Sequence, residues 1–411
     1  MPDRDAKIDA PAADRVGSRA RRAAGSPMPG GPAKRSDIAP FIVMDVLAEA
    51  NERQSQGEDI IHLEVGQPGT PAPALVREAA KRAIDSDRIG YTEAVGIPEL
   101  RVRIAQHYRE TYGVTIAPER VVVTTGSSAG FVLTFLALFD EGATVALPSP
   151  GYPCYRHILR ALGLQVLSIE TKAEGRWMPQ ENEVADLASR NGISGLLLAS
   201  PANPTGTMLS GEALKALANV CEEKGLWLIS DEIYHGLTYE DPAETALAFS
   251  DNAIVINSFS KYFSMTGWRI GWMIVPEALV RTVERLVQNL YISAPTLSQF
   301  AAIAAFDAGD ELEAYKAVYQ RNRELLLDAL PSAGFPDLAP ADGAFYLYAN
   351  VAQLTNDSAE FAAKMLSEIG VAITPGLDFD SVRGNQYVRF SYAGATEDIE
   401  KAATRIHAWL A

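Results

Sequence analysis

The sequence contains few of the residues that build disulfides and metal sites. Among 411 residues there are only two cysteines, Cys154 and Cys221, and five histidines. The cysteines lie far apart and match no zinc spacing, and the histidines do not cluster. The sequence therefore predicts neither a disulfide framework nor a metal site. Free thiols are typical of a reducing compartment, which favours a cytoplasmic location.

Positive charge and long apolar runs are also scarce. The 36 Lys and Arg residues are outnumbered by 52 Asp and Glu residues, which gives a formal net charge of −16. A field of that sign repels a phosphate backbone, so nucleic acid is not an expected partner. No apolar run reaches the length that crosses a bilayer, so no membrane association is expected. The hydrophobic content of 47% is ordinary for a globular protein.

The chain is too long for one compact core, so we expect more than one domain and divide the chain into four segments. Residues 1–30 hold Pro, Ala, Gly and several Arg with almost no large apolar side chain. We expect this N-terminal extension to be disordered, and Met28 is an alternative start. Residues 31–75 are interpreted as an arm and part of a small domain, 76–294 as a large domain, and 295–411 as the C-terminal small domain.

Short apolar runs alternate with helical patterns through the middle of the chain. Unbroken apolar strands separated by helices are typical of a mostly parallel sheet with helices on both faces. The predicted strands are Val121–Val123, Thr144–Leu147, Gly195–Ala199, Leu226–Ser230, Ala253–Asn257 and Arg269–Val275. Two later runs, Phe345–Ala349 and Tyr387–Ser391, indicate strands of a smaller domain. The predicted fold class is an α/β large domain with a smaller α+β domain.

Ligands of such sheets bind beyond the carboxyl ends of the strands, so the residues that follow each strand are site candidates. Gly126, Ser127 and Ser128 follow the first strand and begin a helix, which suits a bound phosphate. A serine cap on a tight turn explains the same residues. Asn203 and Asp231 follow two other strands, where turn formation and helix capping are the alternatives.

Lys261 is the most unusual residue of these loops. It lies among hydroxyl and aromatic side chains in the segment Ser258–Phe263, a short distance before Arg269. Lysine normally lies on the solvated surface, and these neighbours are too apolar for a plain surface turn. A partly desolvated lysine near another cation has a lowered pKa, which an imine-forming amine needs. Together, these loops suit a phosphorylated pyridine aldehyde.

Three motifs in this order resemble those of the class I/II aminotransferases, which are fold-type-I pyridoxal-phosphate enzymes. They are Asn203-Pro204-Thr205-Gly206, Asp231-Glu232-Ile233-Tyr234 and Ser258-x-Ser260-Lys261-x7-Arg269-x-Gly271. The resemblance runs from about residue 35 to the C terminus. It implies transfer of an amino group from an L-amino acid to a 2-oxo acid, with 2-oxoglutarate the expected acceptor. The reaction would be ping-pong, through an imine on Lys261.

The resemblance also implies roles toward pyridoxal 5′-phosphate. Lys261 would form the imine and then move the proton of the substrate α-carbon. Asp231 would pair with the pyridinium nitrogen and keep the ring an electron sink. Tyr234 and Asn203 would hydrogen-bond the phenolic oxygen, and Tyr152 would stack on the ring. The implied phosphate ligands are Gly126, Ser127, Ser128, Ser258, Ser260 and Arg269.

Substrate contacts and a second subunit follow from the same resemblance. Arg389 would bind the substrate carboxylate in a two-bond fork, and the backbone of Gly66 would approach the same carboxylate. Tyr152 and Asn203 would also contact the substrate. Tyr91 would reach the phosphate in the neighbouring subunit, which implies a homodimer with shared active sites. An exposed turn tyrosine is the plainer interpretation of Tyr91.

The sequence leaves the choice of substrate open. A side-chain carboxylate would need an extra cation, for which Lys172, Arg156 and Arg160 are candidates because they lie near Tyr152 in the chain. Aspartate, alanine, aromatic and branched donors all stay open. The same fold and lysine also support β-elimination at a carbon–sulfur bond. Such domains further serve as cofactor sensors fused to DNA-binding modules, but the leading segment is too short and irregular for one.

Overall fold

The computed structural model describes residues 31–86 and 89–411, so the disorder expected for residues 1–30 lies outside the described residues. The helices of the described part are α1 (Ile42–Ser55), α2 (Ala74–Ser86), α3 (Pro98–Tyr112), α4 (Ser127–Leu138), α5 (Pro153–Ala161), α6 (Glu181–Asn191), α7 (Gly211–Lys224), α8 (Glu277–Leu290), α9 (Thr296–Ala305), α10 (Gly309–Ser332), α11 (Ser358–Ile369) and α12 (Thr396–Leu410). None of these helices combines the length and apolar character that a membrane span requires.

The strands of the same ranges are β1 (Ile61–His62), β2 (Val121–Thr124), β3 (Thr144–Ser149), β4 (Gln165–Glu170), β5 (Gly195–Ala199), β6 (Trp227–Asp231), β7 (Ile254–Ser258), β8 (Gly271–Ile274), β9 (Tyr346–Asn350), β10 (Val371–Ala372), β11 (Thr374–Pro375) and β12 (Tyr387–Ser391). Strands β2 to β8 form one seven-stranded sheet in the order β2-β8-β7-β6-β5-β3-β4. All are parallel except β8, which runs antiparallel to both neighbours. The predicted mostly parallel sheet is therefore confirmed.

Helices cover both faces of this sheet. Successive side chains of a strand point to opposite faces, so Val122 lies in one apolar core while Val121 and Val123 lie in the other. The strands are buried on both sides, and for that reason their sequences are continuous apolar runs rather than alternating ones.

Each predicted strand is present, with ends shifted by a few residues at most. The edge strand β4 was not predicted, because polar residues interrupt its apolar ones and half of its residues are exposed, so it forms no continuous apolar run. The direction of β8 was also not predicted, since an apolar run carries no information about whether its neighbours are parallel or antiparallel.

The small domain is built on an antiparallel sheet in the order β11-β12-β9 and a short parallel pair, β1 with β10. Its core contains aromatic side chains from β9 and β12, such as Tyr346 and Phe390. Because β1 pairs with β10, the segment just before Gly66 is held within the small domain. We propose from this pairing that part of residues 31–75 belongs to the small domain.

Helix α9 belongs with the large domain. It packs on α2, and its alanines Ala301, Ala302 and Ala305 lie in a core of the large domain. The long helix α10 contributes Leu312 to that core and Leu326 to the small-domain core. We therefore propose that the two domains divide within α10 rather than at residue 295.

Candidate active site

The carboxyl edge of the large sheet gathers the predicted site residues. Strand β2 leads to Gly126, β3 to Tyr152 and β5 to Asn203, while β6 ends at Asp231 and β7 is followed by Lys261. Strands β3, β5, β6 and β7 are parallel, so their ends lie along one edge. The antiparallel strand β8 begins at that same edge, which places the residues before it beside the others.

The amine of Lys261 lies in a pocket of carbonyl and aromatic groups. Its Nζ donates a hydrogen bond to the Gly66 carbonyl oxygen at 2.5 Å and lies 5.9 and 5.8 Å from the ring centroids of Tyr234 and Phe345. Burial and the nearby Arg389 guanidinium lower the pKa of Lys261 to about 8. The sequence-based expectation of a lowered lysine pKa is thus met by the geometry.

Asp231 is a buried carboxylate at the end of β6, and it lies 3% exposed. The Tyr155 hydroxyl donates to its Oδ2, and the Ile233 backbone N–H donates to its Oδ1 at 3.1 Å. Burial raises the pKa of Asp231 to about 6, although both hydrogen bonds and Lys261 favour the ionised form. A buried carboxylate of this kind suits a cationic partner such as a protonated ring nitrogen.

Tyr155 was not recognised in the sequence, although a signal for it exists. It lies on α5, three residues after Tyr152, and therefore nearly one helical turn further along the same side of the helix. The two rings are 5.2 Å apart and nearly perpendicular. Phe41 of the N-terminal arm packs against Tyr152 from another side, with ring centroids 5.8 Å apart.

Gly126 and Arg269 form an anion-binding cradle. Gly126 has φ of 89° and precedes the N terminus of α4. A side chain at Gly126 would meet Nη2 of Arg269 at 2.5 Å, so only glycine lets the guanidinium approach the helix end. Arg269 is itself held with φ of 52°, and its Nη1 donates to the Thr266 carbonyl at 3.0 Å. A helix N terminus and a guanidinium together favour a phosphate group.

The serines beside the cradle are arranged differently from one another. Ser127 and Ser128 form the first turn of α4, where backbone N–H groups have no partner inside the helix. The Ser258 hydroxyl donates to Ser260 Oγ at 2.9 Å or to the Ile270 carbonyl at 3.1 Å. The Ser260 hydroxyl acts as an acceptor there, so its own proton is left to donate to an anion.

Arg389 lies 2% exposed in the middle of β12. Its Nη1 donates to the Asn203 side-chain oxygen at 2.8 Å, and its Nη2 donates to the Glu64 carbonyl at 2.5 Å and to Thr374 Oγ1 at 3.2 Å. Its Nε has no hydrogen-bond partner in the described part of the chain. A buried guanidinium with a spare donor is suited to a substrate carboxylate.

Two aromatic rings enclose that guanidinium. The Tyr346 centroid is 4.3 Å and the Phe379 centroid 4.7 Å from its central carbon. The Tyr346 hydroxyl is hydrogen-bonded to the Tyr234 hydroxyl at 2.8 Å, which joins the Arg389 side of the site to the motif of Asp231. A side chain on Gly66 would collide with the Tyr346 hydroxyl, so this close approach requires glycine. Neither Tyr346 nor Phe379 was recognised from sequence.

Comparison with known proteins identifies the family. The family described as Aminotransferase class I and II matches residues 58–406. The chain belongs to this family. Over 382 residues it is 49% identical to the valine–pyruvate aminotransferase of Mycobacterium tuberculosis, covering 92% of this chain and 98% of the relative.

More distant relatives and solved structures agree with this aminotransferase assignment. The chain is 33% identical to the aspartate/prephenate aminotransferase of Thermus thermophilus, over 90% of this chain and 95% of the relative. A crystal structure of an aminotransferase from Mycobacterium tuberculosis superimposes with a TM-score of 0.90 at 49% identity, over 92% of this chain and 99% of that one. Aspartate aminotransferase from Thermus thermophilus with maleate superimposes at 0.87 and 32% identity, with the same coverage. The β-elimination alternative is therefore not favoured.

Two sets of predicted residues of this aminotransferase stand apart from the cluster. Tyr91 is 83% exposed and takes no part in the contacts above. Of the three candidate cations for a side-chain carboxylate, Arg160 and Lys172 are exposed. Arg156 is half-buried and donates to the Asp378 carbonyl oxygen at 2.5 Å, next to Phe379. No grouping of three or more His, Cys, Asp or Glu side chains suited to a metal ion occurs in the described ranges.

The lowered pKa of Lys261 predicts how its reactivity depends on pH. In the cofactor-free aminotransferase, reductive methylation of Lys261 should be half-maximal near pH 8, because only the neutral amine attacks an aldehyde. Glu360 raises the pKa of the surface residue Lys364 above its ordinary value of 10.5, so its profile should lie at higher pH. Peptide mapping by mass spectrometry measures both lysines in one sample. Coincident profiles would show that Lys261 is not perturbed.

Proposed function

We propose that this aminotransferase uses pyridoxal 5′-phosphate and exchanges amino groups between a small apolar L-amino acid, such as valine, and a monocarboxylic 2-oxo acid, such as pyruvate, in two ping-pong half-reactions. One observation carries the proposal. Lys261 and Arg389 donate to carbonyl oxygens only two residues apart, those of Gly66 and Glu64. A reactive amine and a buried guanidinium are thereby held side by side. That spacing suits a molecule whose carboxylate is bonded directly to its reacting carbon.

The surrounding residues fit the cofactor. Pyridoxal phosphate, when bound, supplies an aldehyde for the amino group and a ring that takes up the electron pair of the substrate Cα–H bond. Arg269 and the N terminus of α4 would hold its phosphate, and Asp231 would hold its ring nitrogen. The Asn203 side-chain oxygen accepts from Arg389, which leaves the Asn203 amide to donate to the phenolic oxygen together with the Tyr234 hydroxyl.

Proton transfer would be the work of Lys261. With its pKa lowered to about 8, the amine would take the Cα proton of the donor closer to neutral pH than an ordinary lysine and would pass it to the cofactor carbon that carries the aldehyde, on the far side of the amino nitrogen. The pKa of Asp231 is raised above its ordinary value of 3.8 to about 6, so its carboxylate is ionised above that pH and becomes protonated below it. The pairing with a cationic ring nitrogen should thus strengthen as the pH rises through 6.

The charges near Arg389 support a substrate with one carboxylate. A dicarboxylate such as 2-oxoglutarate, the acceptor expected from sequence, needs a second cation. Arg156 donates a hydrogen bond to the Asp378 carbonyl, and the Asp378 carboxylate lies close enough to attract the guanidinium and offset its positive charge. The side chains of Arg160 and Lys172 are exposed. The name of the valine–pyruvate relative supports the same choice.

Half-reaction measurements test this proposal. The holoenzyme is mixed with one amino acid at a time, and the absorbance of the cofactor is followed. We expect valine to exceed aspartate at least tenfold in kcat/KM, about 1.4 kcal/mol, because one buried guanidinium serves one carboxylate. Pyruvate should likewise exceed 2-oxoglutarate in the reverse direction. A preference for aspartate and 2-oxoglutarate would contradict the substrate class, and ammonia release from a cysteine conjugate would indicate elimination instead.

Arg389→Lys should lower kcat/KM for every amino acid alike. Lysine keeps the charge but loses the planar fork, so we expect a loss of about 2–5 kcal/mol in kcat/KM whatever the side chain of the donor. Amines that lack a carboxylate serve as the control and should react almost unchanged. Equal losses for both kinds of substrate would show that Arg389 does not bind the carboxylate.

We propose further that the active sites are shared in a homodimer, with Tyr91 reaching the partner's cofactor. Tyr91 is 83% exposed, which leaves its side chain free to reach a neighbouring subunit. The variants Lys261→Ala and Tyr91→Ala each lack one residue that the shared site needs, and they are refolded together in equal amounts. About half of the dimers should be hybrids, each with one intact site, which restores roughly a quarter of all sites. No gain on mixing, with hybrids verified by native mass spectrometry, would place Tyr91 in its own chain's site.

A further inference from the structure

The loop between β11 and β12 crosses from the small domain onto the sheet edge of the large domain. It carries Phe379, one of the two rings that enclose Arg389. The carbonyl of Phe379 accepts a hydrogen bond from the Gly151 backbone N–H at 3.1 Å. Gly151 immediately precedes Tyr152, so this contact joins the ring on the guanidinium to the turn of Tyr152.

Arg383 donates to three acceptors, of which one lies in this loop and two lie in the large domain. Its Nε donates to Asp380 Oδ2 at 2.9 Å, its Nη1 to the Thr171 carbonyl at 2.8 Å, and its Nη2 to the Ser149 carbonyl at 2.9 Å. The guanidinium also lies 5.6 Å from the ring centroid of Trp177. Each hydrogen bond involves a different nitrogen of the planar fork, which no other side chain reproduces.

The two large-domain acceptors of Arg383 lie at the ends of two neighbouring strands. Ser149 is the last residue of β3, and Thr171 directly follows β4. Asp380 completes the arrangement from the loop itself, since its Oδ1 accepts the backbone N–H groups of Val382 and Arg383 at 2.9 and 3.0 Å. Asp380 is 2% exposed, and the guanidinium beside it supplies the cationic partner that a buried carboxylate needs.

We propose that Arg383 is a positioning residue for the substrate-carboxylate site, which it builds by holding the Phe379 loop against the Tyr152 turn. Ser149 lies on one side of the Gly151–Phe379 contact, and Asp380 lies on the other. Arg383 binds both, so it determines how closely Phe379 approaches Arg389. The proposal rests on the proposed function only in taking Arg389 as the carboxylate-binding group.

A second arginine offers a matched control. Arg176 of the large domain forms an ion pair with Asp342 of the small domain, with Nη2 at 2.7 and 2.6 Å from the two carboxylate oxygens. This pair links the domains as Arg383 does, but the Arg176 side chain is 57% exposed and touches neither Phe379 nor the Tyr152 turn in the contacts described. Arg176→Gln therefore measures the effect of losing an arginine contact between the domains that does not involve the Phe379 loop.

The experiment compares Arg383→Gln, Arg383→Lys and Arg176→Gln as holoenzymes. Calorimetry measures the Kd of 2-hydroxyisovalerate, an unreactive carboxylate, and steady-state kinetics separate KM from kcat. We expect Arg383→Gln to raise Kd and the KM for the amino donor about tenfold or more, with a smaller change in kcat and unchanged cofactor content. Arg383→Lys should recover part of the affinity because an ammonium can still bond one carbonyl. Arg176→Gln should stay within about twofold of the wild type.

A Kd within about twofold of the wild type in Arg383→Gln, or an equal rise in Arg176→Gln, would overturn the proposal. If Arg383→Gln does not fold, Arg383→Lys supplies the test, since a wild-type Kd in that folded variant would equally overturn it. Failure of the proposed function is recognised separately in the wild type, which would then not bind the hydroxy acid or would prefer aspartate and 2-oxoglutarate to valine and pyruvate.

Discussion

The site depends on the hydrogen bonds that two cations make to one short piece of backbone. Arg389 donates to the Glu64 carbonyl, and Lys261 donates to the Gly66 carbonyl. The pairing of β1 with β10 holds the backbone of this segment in place. Two further hydrogen bonds hold it as well: the Leu63 N–H donates to the Ala372 carbonyl, and the Ser391 N–H donates to the Leu63 carbonyl. Because Arg389 belongs to the small domain and Lys261 to the large one, this segment sets the distance between the two halves of the candidate site.

Electrostatics inside the site follow from burial of unlike groups close together. Lys261 has a lowered pKa because it is desolvated beside Arg389, while Asp231 has a raised pKa because it is desolvated with neutral donors around it. Both shifts favour less charge in the absence of ligands. A carboxylate would pair with Arg389, a phosphate with Arg269 and a cationic ring with Asp231. A site with these charged groups would therefore favour a ligand that carries several charges.

Much of the candidate site was predictable because strand ends along a parallel sheet lie together in space. Asn203, Asp231 and Lys261 are far apart in sequence, yet each closes or follows a strand of that sheet. The rule that ligands bind at this edge turned a one-dimensional pattern into neighbours. The strand ends could be located because the strands are apolar throughout, which makes them visible in sequence. The exposed edge strand β4 lacked that signal and was missed.

The sequence by itself determined the α/β class, the aminotransferase family and the side chains along the sheet edge, because those depend on local pattern and on motif spacing. Tertiary structure alone decided the partners: Tyr155 on Asp231, Tyr346 and Phe379 around Arg389, and Arg383 on the strand ends. It also decided that α9 joins the large-domain core. These contacts mostly join residues from distant parts of the chain, where no periodicity connects them, so they exist only once the domains have packed together.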